Sequence, residues 1–157
     1  MILPTIDVRL ANDNDVGSIG GVHRDSVKSL CATHYSRGQL DAWFEDRPPN
    51  MYVNAIREGR IWVAVEHENL VGFVEIRPGE IEKLFVRGIS AGCGIGSELL
   101  RIGIERVRDA SIDAVTVLAT LNARTFYERH GFRQIGETCL LRGRLKTRID
   151  VLHMELR

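Results

Sequence analysis

The stretch Glu80–Leu100, EIEKLFVRGISAGCGIGSELL, decides the fold. Its first part, Glu80–Arg87, is apolar and β-branched enough to be a strand near the middle of a sheet. Its end begins a helix: Ile95, Leu99 and Ile102, beside Leu100, Ile104 and Val107, form two adjoining stripes at spacings of three and four. Between them lies Ser90-Ala91-Gly92-Cys93-Gly94-Ile95-Gly96-Ser97. Glycine at alternate positions removes side chains, so a ligand can reach the backbone. The helix behind offers unpaired N–H groups and the positive end of its dipole, which suits a phosphate. A plain flexible turn between strand and helix reads the same residues equally well.

Two nucleotide templates fail here. A P-loop ends in Gly-Lys-Ser/Thr, because the lysine neutralises the terminal phosphates, and Gly96-Ser97 has no lysine. A dinucleotide fingerprint needs Gly-x-Gly-x-x-Gly after the first strand of a βαβ unit. In this chain the third glycine comes one residue early, after several antiparallel-looking strands.

Outward from that centre, two earlier strands precede Glu80. Arg60–Glu66 and Leu70–Ile76 are joined by a His67-Glu68-Asn69 turn, and Arg77-Pro78-Gly79 turns the chain again. Towards the N-terminus, Thr5–Ala11 alternates like a half-buried strand. Asn12, Asp13 and Asp15 offer caps for a helix running to about Ser29, weakened by Gly17, Gly20 and Gly21. Ser36 and Gln39 read as a capping box before Leu40–Phe44, a helix that Pro48 and Pro49 would end. Met51–Arg57 is a short amphipathic piece. Towards the C-terminus, Ala114–Ala119 is a strand and Asn122–His130 a helix closed by Gly131. Phe132–Leu141 and Val151–Leu156 form a last strand pair. The order β-α-α-β-β-β-α-β-α-β-β contains no repeat or linker and predicts one mixed α/β (α+β) domain over residues 1–157.

The chain carries 21 Lys+Arg and 21 Asp+Glu, so no net charge draws it to nucleic acid or an anionic membrane. No apolar run is long enough to span a bilayer, and MILPTIDVRL lacks the pattern of a signal peptide. Cys31, Cys93 and Cys139 are odd in number and widely spaced. They argue against a disulfide framework and against a metal site, and for a reducing, cytoplasmic setting.

The run EIEKLFV…GCGIGSELL resembles motif A of the GNAT superfamily of N-acetyltransferases, written Arg/Gln-x-x-Gly-x-Gly/Ala. Gly94 and Gly96 match its glycines, whereas the leading Arg or Gln falls on Ala91. The proline-containing turn common after the strand is replaced by Arg87-Gly88-Ile89-Ser90. NARTFYERHGF, Asn122–Phe132, is similar to the family's Asn-x-x-x-x-Tyr-Glu-x-x-Gly-Phe signature. The pair is far more specific than either motif. The resemblance implies a GNAT-like fold, with a central, mixed but mostly antiparallel sheet of about seven strands flanked by about four helices. It implies acetyl-CoA as cosubstrate, direct transfer to the amine of a small molecule or peptide in a ternary complex, and, as in many relatives, a homodimer. The alternative is a CoA-binding partner or regulatory module of the same fold without catalysis.

The resemblance also assigns roles. Leu84, Phe85 and Val86 would lie along the pantetheine arm, with Leu84 and Val86 hydrogen bonding through their backbone. Gly92, Cys93, Gly94, Ile95, Gly96 and Ser97 would take the pyrophosphate, and Asn122 would orient the cofactor unless it merely caps its helix. Tyr127 stands in the place of the general acid: a phenol with a pKa of about 10 stays protonated at neutral pH and can donate to a thiolate. Packing of helix on sheet is its plainer role.

Glu80 is the leading base, fourteen residues before Gly94, the spacing of the catalytic glutamate in some histone-acetylating relatives. Glu82, on the same strand face, is the second candidate; both could equally bind a substrate cation. In such a fold the N-terminal helices build the acceptor pocket, where His23, His34, Tyr35 and Trp43 are the polar and aromatic residues available, His23, Tyr35 and Trp43 are candidate substrate contacts, and histidine is an alternative base. Cys93, at a helix start, makes a covalent acetyl-cysteine conceivable, but the family points to direct transfer. Arg142, Arg144, Lys146 and Arg148 form a basic run placed between the last two strands, either a solvated loop or a contact for an acidic group.

Overall fold

The computed structural model describes residues 5–48, 50–108 and 113–157. Seven strands form one sheet: β1 (Ile6–Leu10), β2 (Ile61–Glu66), β3 (Asn69–Arg77), β4 (Glu80–Val86), β5 (Val115–Thr120), β6 (Arg133–Arg142) and β7 (Thr147–Leu156). Among the described residues there are five helices rather than four: α1 (Val16–Leu30), α2 (Arg37–Ala42), α3 (Val53–Arg57), α4 (Ile95–Arg108) and α5 (Arg124–Arg129). The strand order is β1-β2-β3-β4-β5-β7-β6, with β4 and β5 the parallel pair and every other pair antiparallel.

Two faces of the sheet carry different cores. On one, α4 lays Ile95, Leu99, Leu100 and Val107 over Ala64, Val74 and Ile81, all buried. Helix and sheet come close enough that a Cβ on Gly103 would lie 2.9 Å from Ile81 Cδ1, so that glycine is a spacing requirement. Leu99 is fully buried, and truncation to alanine would cost about 2–5 kcal/mol. On the other face, Ile19 and Val22 of α1 pack with Tyr52, Ile56, Ile61, Val63 and Phe73. A third cluster, Val27, Cys31, Tyr35, Trp43, Ile149 and Val151, ties α1 and α2 to β7.

The predicted capping box forms: Ser36 Oγ accepts from Gln39 N at 3.1 Å, and Gln39 Oε1 accepts from Ser36 N at 2.8 Å. Gly131 takes the left-handed conformation expected of it, with φ 88°. Two boundaries differ. Helix α2 stops at Ala42, well before Pro48, and Trp43–Asp46 is a turn region; Pro49 lies outside the described residues. The basic run is no loop between strands. Arg142 closes β6, Arg148 sits inside β7, and only the residues between Arg142 and Thr147 make the turn, because the hairpin ladder continues to the Arg142–Thr147 pair.

Two consequences position the site. Strands β4 and β5 pair only at Glu80–Thr116 and Ile81–Val117, then diverge. Opposite β3, the register of β4 shifts: Glu75 pairs with Lys83 and Ile76 with Ile81, leaving Glu82 as the extra residue of a bulge. The gap opens just past the bulge.

Candidate active site

A cleft of about 620 Å³ occupies the gap between β4 and β5. Leu84, Phe85 and Val86 form one wall, the glycine loop one end, and Asn122, Phe126 and Tyr127 the opposite wall. Arg87 N donates to Val71 O of β3 at 2.9 Å. Strand alternation therefore turns the backbone groups of Phe85 towards β3 and those of Leu84 and Val86 towards the gap, where β5 has already diverged. An extended, amide-bearing chain can pair with that edge as a strand would. The backbone groups of Leu84 and Val86 are thus unpaired at that edge, and Phe85 lines the cleft as well.

The loop before α4 is built for close approach. Gly92 and Gly94 adopt φ 78° and 84°, and a Cβ at either would meet nothing within 4 Å, so both border open space in a conformation that L side chains rarely hold. The helix's first internal bond runs from Glu98 N to Gly94 O, which leaves the amides of Ile95, Gly96 and Ser97 without a helical partner. Gly92, Gly94, Gly96 and Ser97 line the cleft. Ser97 Oγ also lies 3.0 Å from His130 Nε2, joining the loop to the end of α5. Two neighbours contribute backbone alone. The Ile95 side chain is buried in the α4 core, and Cys93 borders a separate depression with Arg87 and Ile89. The exposed Cys93 thiol is thus turned from the cleft.

The far wall comes from the turn Leu121–Ala123 and α5. Asn122 does not cap the helix: Ala123 is the cap residue and no side-chain cap bond forms. Instead Asn122 Oδ1 is buried without any hydrogen-bond partner, an orphan acceptor in a cleft wall. Tyr127 is buried, and burial pushes its phenol above the ordinary value, so the O–H keeps its proton at neutral pH. Its ring packs edge-on against Phe126 and Phe132, so the packing role and the cleft position coexist.

Beyond Leu84 along β4 lie the two carboxylates. Burial, then the Glu82 charge and a hydrogen bond that protonated Glu80 donates to Glu82, raise Glu80 above its ordinary value. Glu82 has cationic neighbours, Arg77 at 3.5 Å and Lys83 at 3.8 Å. Glu80 is therefore the carboxylate that holds a proton more readily, as a base working near neutral pH requires.

The three candidates from the N-terminal helices lie deeper than expected. Tyr35 is buried with its hydroxyl committed to the main chain, donating to Asp150 O at 2.6 Å and accepting from Leu121 N at 2.9 Å. Trp43 is buried against it, with ring centroids 5.2 Å apart. Both brace the β7 end of the sheet, because a large aromatic gains more from burial than from lining a wet pocket. His23 is 2% exposed, enclosed by Phe44, Phe73 and Phe85, with Nδ1 bonded to Tyr52 Oη. Burial, aided by the Lys83, Arg47, Arg24 and Arg142 charges, holds it well below its ordinary value and hence neutral. It touches the cleft only through Phe85, 4.2 Å away centroid to centroid.

Several lining residues escaped the sequence reading. Phe126 and Arg129 share a face with Asn122 at spacings of four and seven, a helical period that would have found them. Ser26, Leu30 and Cys31 also line the cleft, yet nothing in their local sequence points there, and His34, one of the polar residues of the N-terminal region, lines it as well. Burial pushes the Cys31 thiol up to about 11, so it stays unionised. Among the described residues no group of three or more His, Cys, Asp or Glu is placed to hold a metal, and no helix is long and apolar enough to cross a membrane.

Comparison with known proteins agrees with this geometry. Residues 31–156 match the family model described as an acetyltransferase (GNAT) domain. An uncharacterized N-acetyltransferase, YafP, of Escherichia coli K12 is 25% identical over 132 residues, 84% of each chain. A crystal structure of a GCN5-related N-acetyltransferase from Rhodopseudomonas palustris superposes with a TM-score of 0.91 at 20% identity, covering 99% of this chain and 98% of that one. The PaiA N-acetyltransferase of Thermoplasma acidophilum, solved in complex with coenzyme A, gives 0.80 at 20% identity over 98% and 99% of the two chains. A family model that spans most of the chain, over a sheet that splays between β4 and β5, makes this protein a member of the GNAT family of acetyltransferases.

Proposed function

We propose that the chain moves an acetyl group from acetyl-CoA onto the primary amine of a small molecule or peptide, by direct transfer with both substrates bound. One observation carries this reading. A single cleft joins the unpaired amides at the start of α4, the free edge of β4 and Tyr127, and the Glu80–Glu82 pair lies on the same strand β4 as that edge. The fit to the cosubstrate rests on the open space at Gly92 and Gly94 and on the orphan Asn122 Oδ1.

Bound acetyl-CoA supplies the activated acyl group. The amides of Ile95, Gly96 and Ser97 hold its pyrophosphate at the positive end of α4, and the Leu84 and Val86 backbone pairs with the pantetheine. Asn122 Oδ1 accepts from a pantetheine amide. A β4 main-chain N–H polarises the acetyl carbonyl. Glu80 takes the proton of the acceptor ammonium, directly or through water, and Tyr127 donates its proton to the departing thiolate. Holding both reactants in one gap removes the entropy of a bimolecular encounter from the chemical step.

The test is thiol release across an amine panel, with calorimetry of acetyl-CoA binding and two-substrate initial rates. Turnover with intersecting rate lines supports direct transfer; parallel lines point to an acetylated enzyme. Binding without turnover on any amine leaves a CoA-binding module, and no binding at millimolar acetyl-CoA ends the reading.

A further inference from the structure

The chain has no net charge, yet its cations are not spread evenly. Lys83, Arg24, Arg47 and Arg142 all lie close enough to His23 to act on its ring. They come from four separate elements and ring the aromatic patch of His23, Phe44 and Phe85. Two are already occupied. Lys83 pairs with the buried Glu75 at 3.2 Å, and the Arg24 guanidinium stands over the Phe44 ring at 5.3 Å.

Arg47 and Arg142 differ. The β6–β7 turn is pinned to the segment after α2: Arg144 N donates to Glu45 Oε1 at 2.8 Å, and a Cβ on Gly143 would sit 3.2 Å from that of Ala42. This draws Arg142 towards Arg47, two residues beyond Glu45. Among the described residues neither guanidinium has a carboxylate within 4.0 Å. Asp46 and Glu82 act on Arg142 only from further off. Arg142 Nη1 donates to its neighbour's carbonyl, Leu141 O, at 3.1 Å, while its Nε is buried with no partner. Two half-buried guanidiniums, one with an orphan donor, thus lie near enough for the Arg47 charge to act on Arg142. An anion between them would satisfy the donor and cancel the repulsion.

We propose that Arg47 and Arg142 form an anion seat next to the Glu80–Glu82 pair, so that the acceptor amine also carries a carboxylate or a phosphate. The inference rests on the acetyl-transfer reading of the cleft. The ammonium end faces the β4 carboxylates, the anionic end the two guanidiniums, and the Phe44 and Phe85 rings lie between as an apolar floor.

The test uses matched amines that differ in the anion alone: glycine against glycinamide, O-phosphoethanolamine against ethanolamine, with spermidine as a cationic control. The anionic member of at least one pair should show roughly tenfold higher kcat/KM, and which pair does so distinguishes carboxylate from phosphate. Arg142→Gln and Arg47→Gln should each erase that preference, mainly through KM, with acetyl-CoA affinity unchanged; Arg142→Lys should restore part of it. Melting curves identify any variant that fails to fold, and Arg47→Gln, outside helix and strand, then carries the test. Better turnover of uncharged or cationic amines, or selectivity that survives both variants, overturns the proposal. So does a loss of acetyl-CoA affinity in Arg142→Gln, which would place the seat on the cosubstrate. If no amine is acetylated, calorimetry with inorganic phosphate and O-phosphoethanolamine separates the two readings. Binding lost in Arg142→Gln keeps the seat and sinks acetyl transfer, whereas no binding to the wild type sinks the seat.

Discussion

The two ends of the β4–β5 gap are built from different materials. At the glycine-loop end the ligand-facing groups are main-chain amides, on α4 and on the free edge of β4. At the bulge end the groups proposed to meet the acceptor are side chains: two carboxylates on one strand, and guanidiniums from the segment after α2 and from a distant hairpin. A backbone site needs little from its residues except permission to approach, which Gly92 and Gly94 give through positive φ. Ala91 falls where the motif this run resembles has Arg or Gln, and the backbone at Gly92 and Gly94 still borders open space. A side-chain site has no such tolerance, since its charges must be brought together by tertiary packing.

That contrast can be broken by substitution. The largest effect belongs to Tyr127→Phe, which keeps the ring packing and removes the proton: kcat should fall about 100-fold or more while acetyl-CoA affinity stays within about twofold. Equal turnover by the phenylalanine variant would reduce Tyr127 to packing. Glu80→Gln comes next, with a loss of about 10- to 100-fold in kcat/KM. In the wild type, burial and the Glu82 charge both penalise ionised Glu80, so activity should rise with pH through a midpoint above the ordinary carboxylate value. Glu82→Gln removes one of those penalties and should move the midpoint down. A pH profile of kcat/KM checks the sign, and an upward move would show that Glu82 does not act on Glu80.

On the backbone side, Gly94→Val forces a β-branched residue to positive φ, at a cost of about 1–2 kcal/mol, and should weaken acetyl-CoA binding roughly tenfold by calorimetry with little change in the turnover of bound substrate. Smaller still, Ala91→Gln should tighten acetyl-CoA by no more than about threefold, because the amides already supply most of the grip. A gain of two orders of magnitude would mean that side chains rule that end too. Cys93→Ser should leave kcat within about twofold, since the thiol is turned from the cleft. Complete loss with cosubstrate binding intact would point to an acetyl-cysteine.

The order of elements and the cofactor end of the site were legible in the chain itself. The β-branched, mostly apolar runs of β2 to β4, the apolar stripes of α4, the Ser36–Gln39 box and the glycines at alternate positions are local patterns, and each dictates its backbone within a few residues. Asn122 was singled out correctly as a cleft residue, but its freedom from capping is visible only where Oδ1 is seen without a partner. His23, Tyr35 and Trp43 are polar or aromatic residues of the N-terminal region, a pattern that does not separate pocket from core; packing against Phe85, Asp150 and Leu121 decided it.

What the sequence by itself determined is the set of periodic elements and the bare loop before α4, because periodicity and glycine act through neighbours a few bonds away. What only the tertiary structure decided is where β5 leaves β4, and that a hairpin near the C-terminus carries Arg142 to the neighbourhood of Arg47. Those placements join residues some forty to a hundred positions apart. Only the packed sheet brings them within reach of one another.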